Sequence, residues 1–235
     1  MAKKSYIGID GKARKVKKWY IGVDSKARKV KKGYIGVGGV ARPFISGELE
    51  YYGAITPLSV ARGNFAGASV GDYALFAGGY NGSSSFYTVD AYNTSLTRST
   101  PTALSVARYM LAGASVGDYA LFAGGDDSST TYSSTVDAYN SSLVRSTPTA
   151  LSVARYYHAG TSVGDYALFA GGYNGGDLST VDAYNSSLVR SAPTALSVAR
   201  HRLAGASVGD YALFAGGQER YPATNVFNVV DAYSA

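Results

Sequence analysis

The sequence predicts an all-β propeller of four blades, on three observations. Leu-Ser-Val-Ala-Arg recurs at 58–62, 104–108, 151–155 and 196–200, and Gly-Gly at 78/79, 124/125, 171/172 and 216/217. Both series step by 46, 47 and 45 residues, a period at which short apolar runs build one four-stranded sheet per repeat. Composition agrees: 29 Gly and 21 Tyr among 235 residues, with only 16% charged, favour strands and turns. The 46% apolar content is ample for a core.

Each element of a blade has its own signal. Strand A, Ala66 to Val70, is made of small residues, as the innermost strand must be where blades converge on the axis. Gly71-Asp72 supplies a turn, and Tyr73 to Ala77 alternates as strand B until Gly78-Gly79 ends it. A variable loop leads to strand C at Val89 to Tyr92, then an Asn93-Thr94-Ser95 turn, strand D over Leu96 to Arg98, and Pro101 on the return. The chain stops after a strand C at Tyr233, while Leu49 to Pro57 stands where later copies have a strand D. Four A-B-C units, three internal D strands and this N-terminal one make sixteen strands, expected to close the ring and remove its free edge. A two-chain ring of eight blades, each chain lending its D strand to the other, is the alternative.

Charge divides the chain in two. All ten Lys lie between Lys3 and Lys32, and the first 42 residues carry thirteen basic groups against two acids, a net +11. The remaining 193 carry nine Arg against 14 acids, a net −5. In the basic segment a 14-residue unit, Tyr6-Ile-Gly-Ile-Asp10-Gly11-Lys-Ala-Arg-Lys-Val-Lys-Lys18, recurs as Tyr20 to Lys32, with a shortened copy from Tyr34 to Phe44. It reads as strand, tight turn, strand. So little apolar surface per copy predicts that residues 1–44 order against a partner or against copies of themselves, leaving residues 45–235 as the propeller.

The 46-residue unit resembles a kelch repeat: a double Gly after Tyr-Ala-Leu-Phe-Ala, a Tyr 12 to 16 residues on (Tyr92, Tyr139, Tyr184, Tyr233), and an Arg before the next strand A. The resemblance covers residues 49–235. The family's Trp about six residues after that Tyr is replaced by Arg98, Arg145 and Arg190. The basic leader, ending in Gly-Val-Ala-Arg-Pro-Phe, resembles leaders of prophage-encoded proteins of Gram-positive gut bacteria that precede surface or tail-associated modules. The resemblances imply a kelch-like fold and a virion protein anchored through residues 1–44, with a bacterial surface carbohydrate or protein as ligand.

Enzyme chemistry finds little footing. There is no Cys, hence no thiolate nucleophile, disulfide or Cys-ligated zinc, and two His, His158 and His201, cannot build a multi-His metal centre. The recurring acids occur once per blade, in Gly-Asp turns and in Val-Asp-Ala-Tyr, which predicts repeated structural hydrogen bonds and not an asymmetric carboxylate pair. No catalytic residue, metal or cofactor is expected. Met1 to Arg14 is basic but no apolar run of signal-peptide length follows, and no stretch approaches a membrane span. A soluble product without membrane insertion is expected, made in a host cytoplasm and, by the resemblance, displayed on a virion.

Comparison of the four copies within the chain locates the expected ligand face. Differences concentrate in the triplets after the blade Arg (Gly63-Asn64-Phe65, Tyr109-Met110-Leu111, Tyr156-Tyr157-His158, His201-Arg202-Leu203) and in the loops after Gly-Gly. Strand alternation brings both sets to one face, around Arg62, Arg108, Arg155 and Arg200. Loops on a rigid scaffold are where binding resides. Stacking on Tyr109, Tyr156 or Tyr157 and polar contacts from Asn64, His158, His201 or Arg202 are expected, with Phe65 beside them. His158 and His201 otherwise read as surface polar residues at variable positions. Lys15, Lys17, Lys18, Lys29, Lys31 and Lys32 are assigned to an assembly partner or an anionic polymer. An intracellular scaffold or nucleic-acid-binding role for the basic segment is the alternative function, and self-association is open.

Overall fold

A computed structural model describes residues 51–128, 132–220 and 225–235, together with the backbone of six strands in the first fifty residues. Those six form three antiparallel hairpins: β1 (Tyr6–Ile9) with β2 (Lys12–Lys15), β3 (Tyr20–Val23) with β4 (Lys26–Lys29), and β5 (Tyr34–Val37) with β6 (Val40–Pro43). The register repeats with the sequence, Tyr6 opposite Lys15 and Tyr20 opposite Lys29. Lys15 and Lys29 therefore end the second strands of their hairpins, whereas Lys17, Lys18, Lys31 and Lys32 lie outside the described residues. The chain divides into two compact units, 1–54 and 55–235.

The second unit is a row of four antiparallel sheets. The first contains β7 (Ala66–Val70), β8 (Tyr73–Ala77), β9 (Val89–Asn93) and β10 (Arg98–Ser99). The second contains β11 (Ala112–Val116), β12 (Tyr119–Ala123), β13 (Val136–Asn140) and β14 (Arg145–Ser146). The third follows with β15 (Ala159–Val163), β16 (Tyr166–Ala170), β17 (Val181–Asn185) and β18 (Arg190–Ser191). The last has three strands, β19 (Ala204–Val208), β20 (Tyr211–Ala215) and β21 (Val230–Ser234). No helix of the described residues is long and apolar enough to cross a membrane.

The sheets pack face to face through the same residues each time. Val70, Leu75 and Val89 of the first sheet meet Leu104, Phe122 and Tyr139 of the second repeat. Val116, Leu121 and Val136 meet Leu151, Phe169 and Tyr184, and Val163, Leu168 and Val181 meet Leu196, Phe214 and Tyr233. The innermost strands approach so closely that a Cβ on Gly160 would lie 2.5 Å from the Gly113 carbonyl oxygen. That distance explains the small residues of strand A.

Two expectations are corrected. Strand D does not span Leu96 to Arg98: Leu96 sits in the preceding turn with φ 59°, and the paired residues are Arg98 and Ser99. Nor does any described residue of Leu49–Thr56 form a strand of the last sheet. Leu49 and Glu50 lie outside the described residues, and residues 51–56 form no strand, with Tyr51 90% exposed. The offset of strand D falls there on Tyr52-Gly53, which offers no guanidinium to fix the strand, and Gly53 has φ 91°. Thr56 and Pro57 instead accept hydrogen bonds from the Tyr92 hydroxyl (2.8 Å) and Arg98 (2.6 Å) of the first sheet. Among the described residues the row is open: fifteen strands, with the first and fourth sheets unpaired at their outward faces.

Candidate functional site

The repeated motif Leu-Ser-Val-Ala-Arg is a clamp. In the second repeat the Ser105 N–H and hydroxyl each donate at 3.1 Å to Asp137 of β13, and Arg108 donates to Asp137 at 2.7 Å and to the Phe122 carbonyl at 3.0 Å. Arg62 pairs with Asp90 at 2.9 Å, Arg155 with Asp182 and Arg200 with Asp231 at 2.8 Å. All four arginine side chains are fully buried. They hold the entry segment of each sheet to its third strand and do not line an open surface. Burial pulls the Arg108 and Arg155 guanidiniums below their usual range, against the attraction of Asp137 and Asp182.

A second arginine serves three of the four carboxylates. Arg98, Arg145 and Arg190 lie 3.6, 3.5 and 2.7 Å from Asp90, Asp137 and Asp182. Their sequence signal was available: each stands six residues after the repeat Tyr, and the last repeat ends before its own copy. The Tyr139 and Tyr184 phenols, raised by burial and by the neighbouring Asp137 and Asp182, stay protonated and donate at 2.8 Å to the carbonyls of Thr102 and Thr149.

The triplets and the post-Gly-Gly loops do meet on one face. Gly63 pairs with Tyr80, Tyr109 with Asp126, Tyr156 with Tyr173 and His201 with Gln218, each loop residue pairing onward with a later residue of its loop. The double Gly makes this possible. Gly125 has φ 111°, and a Cβ there would stand 2.8 Å from the Tyr109 carbonyl oxygen.

The middle residue of every triplet is left-handed: Asn64, Met110, Tyr157 and Arg202 have φ of 53°, 54°, 54° and 55°. Asn tolerates this conformation, but bulky side chains in it cost on the order of 1–2 kcal/mol each. A backbone row holds them there. Met110 N–H donates to Asn64 O (2.8 Å), Tyr157 N–H to Met110 O (3.3 Å) and Arg202 N–H to Tyr157 O (2.8 Å). Four different side chains are thus presented at one repeated backbone position.

Beside this row lies a cleft of about 450 Å³, lined by Tyr109, Met110, Asp126, Tyr156, Tyr157, His201, Arg202, Gln218 and Arg220. Asn64, Phe65 and His158 line a smaller hollow of about 240 Å³ with Met110, Tyr157 and Arg202. Arg202 is exposed and lies 4.4 Å over the Tyr157 ring, and Arg220 lies 5.3 Å over Tyr173. Tyr109 is half-buried and stacked on Tyr80 at 4.9 Å. Tyr156 is buried between Tyr132 (4.8 Å) and Tyr157 (4.7 Å), so it supports Tyr157 and offers no free face.

The histidines are not surface residues. His201 is buried, with Nδ1 2.6 Å from Asp177 and Nε2 3.3 Å from the Gln218 amide. The carboxylate accepts from Nδ1–H, which leaves Nε2 to accept from Gln218. His158 fills the position of Leu111 and Leu203, and neither ring nitrogen has a hydrogen-bond partner, the Ala123 backbone lying nearby outside bonding geometry. Burial, and then Arg155, hold its pKa well below the ordinary value, so the ring is neutral. Among the described residues no group of three His, Asp or Glu is placed to hold a metal ion.

No protein-family model matches this chain, and no curated protein does.

Proposed function

We propose that the protein is a non-enzymatic binding module, a kelch-like propeller assembly whose ligand lies along the triplet row and in the adjoining cleft. One observation carries the reading: near-identical repeats spend strain to present Asn64, Met110, Tyr157 and Arg202 at equivalent backbone positions. Backbone strain of this kind gathers where a surface is held for a ligand. The carboxylates repeated in Val-Asp-Ala-Tyr are committed to arginines and so are not free for acid or base chemistry.

The cleft chemistry fits a carbohydrate of a bacterial surface. Half-buried Tyr109 and Tyr157 offer ring edges and hydroxyls, Asp126 and Gln218 offer hydrogen bonds, and Arg202 and Arg220 supply cationic donors suited to sugars bearing carboxylate or phosphate. In this reading the basic hairpins of residues 1–44 attach the module to a virion or other assembly partner, in keeping with the prophage-like leader. The test is the full chain applied to a printed panel of neutral and acidic bacterial surface glycans. Retention of acidic glycans that weakens when Arg202 and Arg220 are replaced by Gln supports the reading. Failure to retain any glycan overturns it.

A further inference from the structure

The three junctions between neighbouring sheets are built alike. At the first, Gly79 N–H donates to Arg108 O (2.9 Å), Leu104 N–H to Tyr87 O (2.8 Å) and Arg108 N–H to Phe86 O (3.1 Å). At the second, Gly125, Leu151 and Arg155 donate to Arg155 O, Ser134 O and Ser133 O at 2.9, 2.8 and 3.1 Å. At the third, Gly172, Leu196 and Arg200 do so to Arg200 O, Ser179 O and Leu178 O at 2.9, 2.8 and 3.0 Å. Every junction also seats a Gly-Asp turn on the next repeat: a Cβ on Gly71 would lie 3.2 Å from Ser141 Cβ, and one on Gly117 3.1 Å from Ser186 Cβ.

The two ends of the row carry the two halves of a fourth such junction. On the last sheet Val208, Tyr211 and Val230 are 62%, 54% and 56% exposed, although the matching Val116 and Val136 are buried. On the first sheet Ala74 is exposed, although Ala120, Ala167 and Ala212 are completely buried. Gly217 N–H makes no bond like those of Gly79, Gly125 and Gly172 among the described residues, and Gly209 has no atom of a following repeat near it. A Cβ on Gly67 would likewise meet only its own sheet, although the Gly67 carbonyl lies against Gly113 of the second.

We infer that the outward face of the fourth sheet binds the outward face of the first sheet in a second copy of this chain, closing a two-chain ring of eight sheets. The occupant follows from the internal repeats. Each exposed half has its complement three times over within the same molecule. Such a contact is head-to-tail, and it ends in a closed ring only if the rotation per sheet permits. Two copies give eight blades, within the propeller range, whereas three give twelve. In the ring, Gly217 donates to Arg62 O of the partner subunit and Gly209 packs on Thr94 of the partner subunit. Both outward faces of the row are then covered.

Native mass of the full chain tests this. Two 24.5-kDa chains are expected, and Ala74→Arg, at a position open to solvent in the single chain, is expected to halve that mass while leaving the β-sheet circular dichroism intact. A wild-type mass of one chain, or a mass that Ala74→Arg leaves unchanged, overturns the inference. Because the chain has no cysteine of its own, Gly209→Cys with Thr94→Cys gives a clean second readout. A Cβ on the glycine of the internal Gly-Asp junctions would stand 2.7–3.2 Å from the opposite Cβ, shorter than the roughly 3.5–4.5 Å of a disulfide, so a small outward shift of the turn seats the bond. Oxidation is expected to yield a covalent two-chain species on a non-reducing gel. An internally crosslinked single chain, or no crosslink, overturns the head-to-tail contact.

Discussion

The Arg202 guanidinium sits 4.4 Å over the Tyr157 ring and donates to its hydroxyl at 3.1 Å, although the two residues belong to different repeats. Both occupy the left-handed middle position of their triplets, and the backbone bond from Arg202 N–H to Tyr157 O sets their spacing. The pair therefore acts as one cationic, aromatic surface whose geometry is fixed by the repeat and whose chemistry is chosen by two variable residues. An exposed cation–π contact of this kind contributes about 0.5–1 kcal/mol.

The buried ion pairs set the stability of the scaffold. Asp182→Asn leaves the Arg155 guanidinium buried without a counter-charge and is expected to cost about 3–5 kcal/mol. Asp231→Asn is expected to cost clearly less, because that carboxylate is 17% exposed and has one arginine where Asp182 has two. Urea unfolding of the two variants side by side checks the order.

His158 makes stability depend on pH. The folded protein holds this imidazole neutral, with a pKa well below its ordinary value, whereas the unfolded chain takes up a proton below about pH 6.5. The unfolded state then binds more protons, so stability falls as pH drops below about 6.5, by at most about 1.4 kcal/mol per pH unit. His158→Leu, which copies Leu111 and Leu203, is expected to remove this part of the slope. It is also expected to stabilise the protein at neutral pH by about 1–3 kcal/mol, since two unsatisfied ring nitrogens disappear. Thermal melts at pH 5 and pH 7.5 measure both effects.

Two glycines with similar φ separate backbone strain from close approach. Gly175 has φ 99° and open space around it, so Gly175→Ala is expected to cost about 1 kcal/mol of conformational strain. Gly125→Ala adds a collision with the Tyr109 carbonyl oxygen at 2.8 Å and is expected to cost several times more. Denaturant midpoints of the two variants decide this.

Strands A, B and C were legible because apolar residues, a Gly-Asp turn and a double Gly mark their ends within each repeat. Leu96 reads as a strand residue in the sequence, while its left-handed φ is set by the Asn93 turn, whose side chain accepts from the N–H groups of Ser95 and Thr97. Burial of Arg62, Arg108, Arg155 and Arg200 was hidden for a different reason: arginine reads as a surface residue until its carboxylate partner, about 30 positions away, is known. His158 carried a usable signal in its alignment with two leucines. The closing strand failed because a count of strands says nothing of pairing, and Tyr52-Gly53 lacks the arginine that pins strand D elsewhere.

If ligand binding depends on four different side chains held at one repeated backbone position, making them the same abolishes it. The variant Met110→Asn, Tyr157→Asn, Arg202→Asn gives every repeat the residue of the first, and Asn suits the left-handed backbone better than the residues it replaces. The measurement is glycan-panel binding of this variant beside the wild-type chain, with unfolding midpoints recorded for both. Wild-type retention of a glycan, lost by at least about tenfold in a variant as stable as the parent or more so, is the predicted result, tenfold being about 1.4 kcal/mol. Undiminished binding by the stable triple variant would contradict that dependence.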